Sequence, residues 1–216
     1  MKDTFRHKGL RKQLVDELSG KGIKDSKVLD MINEIPRHLF MDNAFIQFAY
    51  KDKAFPIGAG QTISQPFTVA FQTELLQLKP YEKVLEVGTG SGYQAAVLIG
   101  LEANVYTIER QKELFVKTKE FLPDLGYNCN FYYGDGYKGL DKFAPFDKII
   151  VTCGAPKMPE DLIKQLKVGG RMVAPIGSGD VQVMHLIEKI SETENRITTH
   201  GRFSFVPMLN NRENGN

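Results

Sequence analysis

Val84-Leu85-Glu86-Val87-Gly88-Thr89-Gly90-Ser91-Gly92-Tyr93 is the stretch that decides the fold. An apolar run of strand length enters a turn with glycine at alternate positions, and a helix-forming stretch follows. Such a strand–turn–helix unit sets backbone N–H groups and a helix N-terminus at the edge of a parallel sheet. That is where the polar part of a nucleotide-like cofactor is held. The spacing is G-x-G-x-G, not the G-x-G-x-x-G of dinucleotide sites, which argues against a nicotinamide cofactor.

Outward from this unit, strands alternate with helices. The pattern predicts strands near 83–87, 104–108, 129–133, 147–151, 171–176, 181–189 and 198–205. Helices are predicted near 92–100, 111–121 and 159–166. Alternation of this kind gives right-handed βαβ units and a doubly wound, mostly parallel α/β sheet. The last two strands leave no room for a crossover helix, and Ser178-Gly179-Asp180 is a tight connection, so at least one of them is expected to be antiparallel.

Upstream, residues 6–48 read as helical. Leu10, Leu14 and Leu18 recur at helical spacing up to Gly20 and Gly22, and Asp25 or Ser26 can cap a second helix that stops at Pro36. His38 to Phe48 is a third candidate. Residues 50–65 read as irregular, and 65–78 as a helix with Pro66 at its first position. The chain is thus expected to be one domain over 1–216, with N-terminal helices and a lid over 1–64 and a cofactor-binding core with C-terminal strands over 65–209.

Composition sets limits on function. The chain has 216 residues, 42% apolar and 25% charged, with a formal net charge of +2, which leaves no strong electrostatic footprint for nucleic acid. Lys2, Arg6, His7, Lys8, Arg11 and Lys12 form a basic arm that reads as a solvated helix face. Cys129 and Cys153 make no disulfide framework, and the four histidines lack metal-ligand spacing, so no metal is expected. With no signal-peptide pattern and no long apolar run, a cytoplasmic protein without a membrane partner is expected. Residues 210–216 read as a frayed polar tail.

Ligands of such sheets sit beyond the carboxyl ends of the strands. Glu109, about 20 residues past the glycine turn, is placed to accept hydrogen bonds from ribose hydroxyls, and otherwise is a helix-start acid. Asp135-Gly136 offers either an acceptor for an exocyclic adenine amine or an ordinary surface turn. Cys153 reads better as a small apolar strand-end residue than as a nucleophile. Gly60-Gln61-Thr62-Ile63-Ser64-Gln65-Pro66 has hydroxyls and amides but no ionisable side chain. It is either a lid that orients an anionic substrate, or a loop in which Ser64 or Gln65 caps the next helix.

Together these segments resemble the bacterial protein-L-isoaspartate O-methyltransferase family. The resemblance runs from Ile35-Pro36-Arg37-His38-Leu39-Phe40 through the Gly60–Pro66 segment and Val84–Leu98 to Leu166-Lys167-Val168-Gly169-Gly170-Arg171, with Phe205-Val206-Pro207-Met208 near the end. The Gly-Gln-Thr-Ile-Ser segment is the most specific part. The resemblance implies a Rossmann-like class I methyltransferase sheet of seven strands and S-adenosylmethionine as cofactor, with S-adenosylhomocysteine as product. It implies that Glu86, Gly88, Thr89, Gly90 and Ser91 cradle the methionine end, that Glu109 with Arg110 holds the ribose, and that Asp135 and Gly136 hold the adenine. Thr62 and Ile63 would flank cofactor and substrate, with Ser64 as the active-site serine.

The implied reaction methylates the free α-carboxylate of L-isoaspartyl residues and starts their repair through a succinimide. That carboxylate is already ionised at neutral pH, so a lid without a base suits it. Isoaspartyl proteins and peptides would be the partners of a monomeric enzyme. The alternatives are a methyltransferase for a small molecule or RNA, and a nicotinamide-dependent oxidoreductase.

Overall fold

The computed structural model describes residues 2–213. Helix α1 (Phe5–Gly20) opens on a capping box: the Thr4 hydroxyl accepts from the His7 N–H, and His7 Nδ1 accepts from the Thr4 N–H. Asp25 caps α2 (Ser26–Glu34) by accepting from Lys27 and Val28, and α2 ends at Ile35, where the following proline disfavours helix. The third helical candidate is not an α-helix. It breaks into two 3₁₀ turns, Arg37–Phe40 and Asn43–Phe48, because Met41 is extended and Asp42 starts a new turn by capping Ala44.

The stretch expected to be irregular holds a hairpin, β1 (Phe55–Gly58) with β2 (Gln61–Ile63). Its two-residue turn has φ of +48° at Ala59 and +65° at Gly60, a backbone that matches the twist of paired strands. Helix α3 (Pro66–Leu76) follows. Neither Ser64 nor Gln65 caps it with a side chain; Asp52 reaches across instead, its Oδ1 accepting from the Phe67 N–H at 2.7 Å.

The core then alternates as expected: β3 (Lys83–Val87), α4 (Tyr93–Gly100), β4 (Asn104–Glu109), α5 (Lys112–Asp124), β5 (Asn130–Tyr133), β6 (Phe146–Val151), α6 (Glu160–Lys164), β7 (Leu166–Ile176), β8 (Gln182–Lys189) and β9 (Asn195–Phe203). Helix α6 is shorter than expected because β7 begins at Leu166, where it already pairs with Phe146. The seven strands lie in the order β5-β4-β3-β6-β7-β8-β9. All pairs through β7 are parallel; β8 runs antiparallel to both neighbours.

Successive residues of β3 face opposite ways. Val84 joins a core made with the N-terminal helices and α3–α5, while Leu85 and Val87 join the core under α6. The strand order turns back between β3 and β6, which opens a crevice at their carboxyl ends.

Two expectations about the ends are corrected. Arg11 is not on a solvated face: it is 3% exposed and grips both carboxylate oxygens of Asp3, the Tyr50 hydroxyl and the Asn33 carbonyl. The tail is not frayed over 210–213, where Asn211 and Glu213 are hydrogen-bonded to Asp135 and Arg110; residues 214–216 lie outside the described part. The structure also gathers Asp3, His7 and His38, which sequence spacing did not suggest. The His7 and His38 rings pack at a 37° tilt with centroids 3.9 Å apart, and Asp3 is taken by Arg11, so the three form a packed N-terminal anchor.

Candidate active site

One cavity opens at the carboxyl ends of β3, β4 and β6. Its floor is the glycine turn. Gly88 sits at φ +101°, and a Cβ there would come within 2.5 Å of the Thr152 Oγ1. The Thr152 hydroxyl in turn donates to the carbonyls of Val87 and Gly88, locking β3 to β6 at this level. Gly90, one turn on, gives its N–H to Glu109 Oε2 at 2.9 Å, and its carbonyl accepts from the Thr118 hydroxyl at 2.7 Å.

Glu109 closes the β4 side. Its other oxygen accepts from the Gln111 N–H at 2.8 Å. Burial raises its pKa, against the pull of the hydrogen bonds from Gln111 and Gly90. Each oxygen keeps a second lone pair, and the side chain lines the cavity. The carboxylate is therefore fixed by backbone donors and still able to accept.

Glu86 lies beneath the floor. It is fully buried, accepts from the Thr107 hydroxyl at 2.6 Å, and does not line the cavity; Thr107 is also 2.6 Å from the Thr89 hydroxyl. Its Oε1 has no partner among the described residues, and burial pushes its pKa up to about 8. This carboxyl supports the turn from below.

The opposite wall is the lid. Gln61, Thr62, Ile63 and Ser64 line the cavity, with Ile63 buried and Ser64 half-buried. Asp52 anchors this wall: besides capping α3, its Oδ2 accepts from Gln65 Nε2 at 2.9 Å and pairs with Lys21 at 2.7 Å. Nothing in the sequence marked Asp52, because it acts across the hairpin rather than next to the helix it caps.

Gly136 and Arg110 complete the rim of the cavity. A Cβ on Gly136 would meet Val87 Cγ1 at 2.6 Å, so only glycine lets β5's following turn approach β3 so closely. Asp135 itself does not line the cavity. Its carboxylate caps the Gly136–Lys138 turn through the Tyr137 N–H and accepts from the Asn211 N–H, both at 2.9 Å. Arg110 donates through Nε to the Asn211 carbonyl at 3.0 Å, so the tail is tied to both rim residues.

Sequence reasoning missed Thr152, Tyr93 and Gln94, which also line the cavity. Tyr93 and Gln94 followed the glycines directly and were read only as a helix start. Cys153 lines it too; burial pushes its thiol up to about 12, which keeps it protonated.

A second hollow meets this cavity at Thr62, Ser64, Thr152 and Val206. It runs between the start of α3 and the end of β9, over the stacked rings of Phe67, Phe71 and Phe203. One chamber thus has glycines and a held carboxylate, the other an aromatic floor, and Ser64 stands at their junction.

Residues 9–213 match the family model described as protein-L-isoaspartate(D-aspartate) O-methyltransferase (PCMT). The chain belongs to this family. It is 61% identical to the protein-L-isoaspartate O-methyltransferase of Christiangramia forsetii over 98% of this chain and 100% of that one. It is 58% identical to that of Flavobacterium johnsoniae over the same shares. A solved protein-L-isoaspartate O-methyltransferase superposes with a TM-score of 0.82 at 30% identity, covering 91% of this chain; the match spans 65% of that longer chain. A putative protein-L-isoaspartate O-methyltransferase from Plasmodium falciparum, solved with S-adenosyl-L-homocysteine, gives a TM-score of 0.78 at 26% identity, over 92% and 98% of the two chains. The fold is that of a class I methyltransferase, and the protein is an S-adenosylmethionine-dependent isoaspartyl methyltransferase.

Proposed function

We propose that this isoaspartyl methyltransferase uses Ser64 to aim the substrate's free α-carboxylate at the methyl donor. The observation that carries this reading is the junction of two chambers at Ser64, one suited to a nucleotide-like cofactor and one to a peptide.

The residues present fit the cofactor. The positive-φ glycines leave the floor bare of Cβ atoms, and Glu109 keeps free lone pairs where ribose hydroxyls can donate. Gly88, Thr89, Gly90 and Ser91 would hold the methionine end, Glu109 and Arg110 the ribose, and Gly136 the adenine, while Glu86 and Asp135 act indirectly, as props of the turn and of the rim. When bound, S-adenosylmethionine supplies an electrophilic methyl group on a sulfonium.

The rest is the chain's own work. Thr62, Ile63 and Ser64 form a wall without ionisable side chains, so the acceptor carboxylate meets hydroxyl and amide dipoles rather than a competing charge. The Ser64 hydroxyl donates one hydrogen bond that fixes the direction of the attacking oxygen, and no proton has to be removed from it. A peptide seated at the junction displaces water there, which strengthens the attraction between the oppositely charged reactants. The following backbone nitrogen then attacks the methyl ester without help and expels methanol, and water opens the resulting succinimide in part to normal aspartate.

We read the chain as one domain, with 1–64 as cover and lid and 65–209 as core, acting as a cytoplasmic monomer on isoaspartyl proteins and peptides, with neither nucleic acid nor membrane as partner. Among the described residues no helix is long and apolar enough to cross a membrane. The decisive experiment gives the protein labelled S-adenosylmethionine and peptide pairs that differ only in Asp or isoAsp linkage. Methyl ester on the isoAsp member alone is the expected result; ester on both, or on neither, overturns the reading.

A further inference from the structure

The aromatic hollow beside Ser64 carries one more piece of information, in its charge. The side chains that line it are almost all neutral: Phe67, Phe71, Phe203 and Phe205 give it an apolar floor, and Thr62, Ser64 and Thr152 make its inner end. Arg202 is the one charged residue on its wall. It is exposed, and among the described residues no carboxylate lies within ion-pair distance of it. The other arginine of β9, Arg196, pairs with Glu188, as does Arg171. Arg202 is thus an unneutralised cation on the wall of the hollow that meets the reaction chamber.

Its distance from the chemistry can be bounded. Arg202 stands four residues before Val206, which borders the reaction chamber. At about 3.3 Å per residue, the chain covers at most roughly 13 Å over that interval. Arg202 lines the outer hollow and not the reaction chamber, so it is not among the groups that meet the reacting carboxylate itself. The outer edge of β9 has no strand partner in the sheet, so an extended substrate lying along it would run in step with the protein chain. A side chain about three to five residues from the isoaspartyl unit would then face the guanidinium.

We propose that Arg202 is a specificity-determining residue that favours isoaspartyl peptides with an acidic side chain three to five residues from the damaged one, and disfavours basic ones there. This rests on the isoaspartyl reading and adds a substrate class to it. The guanidinium gives planar, two-pronged donation to a carboxylate. The site is solvent-exposed, so the preference is modest and weakens as salt screens it.

The test uses the full chain and isoaspartyl peptides of one length, carrying Glu, Gln or Lys at each position from two to six residues away on either side. The quantity read is the ratio of kcat/KM for the Glu and Lys members within each protein, so any general loss of activity cancels. The wild type is expected to favour Glu about fivefold at a position three to five residues away, Arg202→Ala to bring the ratio near one, and Arg202→Glu to invert it. A ratio near one in the wild type, or the same ratio in wild type and Arg202→Ala, overturns the proposal. Failure of the wild type to methylate the neutral Gln peptides would instead count against the isoaspartyl reading.

Discussion

The two walls of the cavity are built on different principles. The sheet-edge wall is held by backbone: Gly90 and Gln111 donate to Glu109, Thr152 seals β3 to β6, and Gly136 packs directly on Val87. The lid wall is a short hairpin with an Ala-Gly turn, held by Ile57 and Ile63 in the core and by Asp52 at the Gln65–Phe67 segment that follows it. The first wall belongs to a structure that would exist for many reactions. The second, on the proposed reading, is the one that serves a particular substrate class. Holding a cofactor needs a rigid, Cβ-free surface, whereas aiming a substrate needs one well-placed hydroxyl on a segment that can admit a peptide.

The comparison breaks first at Gly88. Gly88→Val drives side-chain atoms into Thr152 at a φ that branched residues do not tolerate, so cofactor binding should fall below detection in calorimetry with S-adenosylhomocysteine. Retention of binding would show that the floor yields.

The next effect lies under that floor. Glu86 is held with its pKa near 8, above its unfolded value, so the folded state binds the extra proton. The contribution of this one group to stability should be greatest below the unfolded pKa of about 4.5 and fall by up to about 1.4 kcal/mol per pH unit until pH passes about 8. Glu86→Gln, which cannot ionise, should flatten melting temperature across that window; an unchanged profile would refute this account.

On the other wall, Ser64→Ala should lower kcat by about 100-fold, the cost of a misaimed reactant, while S-adenosylhomocysteine affinity changes little. Equal losses in both would make Ser64 part of the cofactor wall. Asp52→Ala should have the smallest effect: loss of a cap costs about 1 kcal/mol in chemical denaturation, with a rise in peptide KM as the lid loosens.

What the sequence revealed follows the same divide. β3, β4 and β6 were legible because buried parallel strands read as near-continuous apolar runs, and the glycines betray a turn with no room for Cβ. The hairpin was not legible. Its strands hold Pro56 and Gly58, and the first turn position, at positive φ, is Ala59 rather than Asn, Asp or Gly. Glu86 and Asp135 were placed on the cavity by motif, yet their side chains turn to Thr107 and to Tyr137 and Asn211. A motif fixes a position on the chain; the direction of the side chain depends on partners far away in sequence. The same holds for Arg11, whose burial depends on Asp3, Asn33 and Tyr50 converging on it.

Asp135-Gly136 is itself the kind of dipeptide that ages into isoaspartate, since the nitrogen after an aspartate attacks its side-chain carbonyl most readily when glycine follows. Here the carboxylate is occupied by the Tyr137 and Asn211 N–H groups, and Gly136 is wedged against Val87. The cap that shapes the rim therefore also restrains the protein's own lesion-prone bond, at a place where the damage would deform the wall of the cavity.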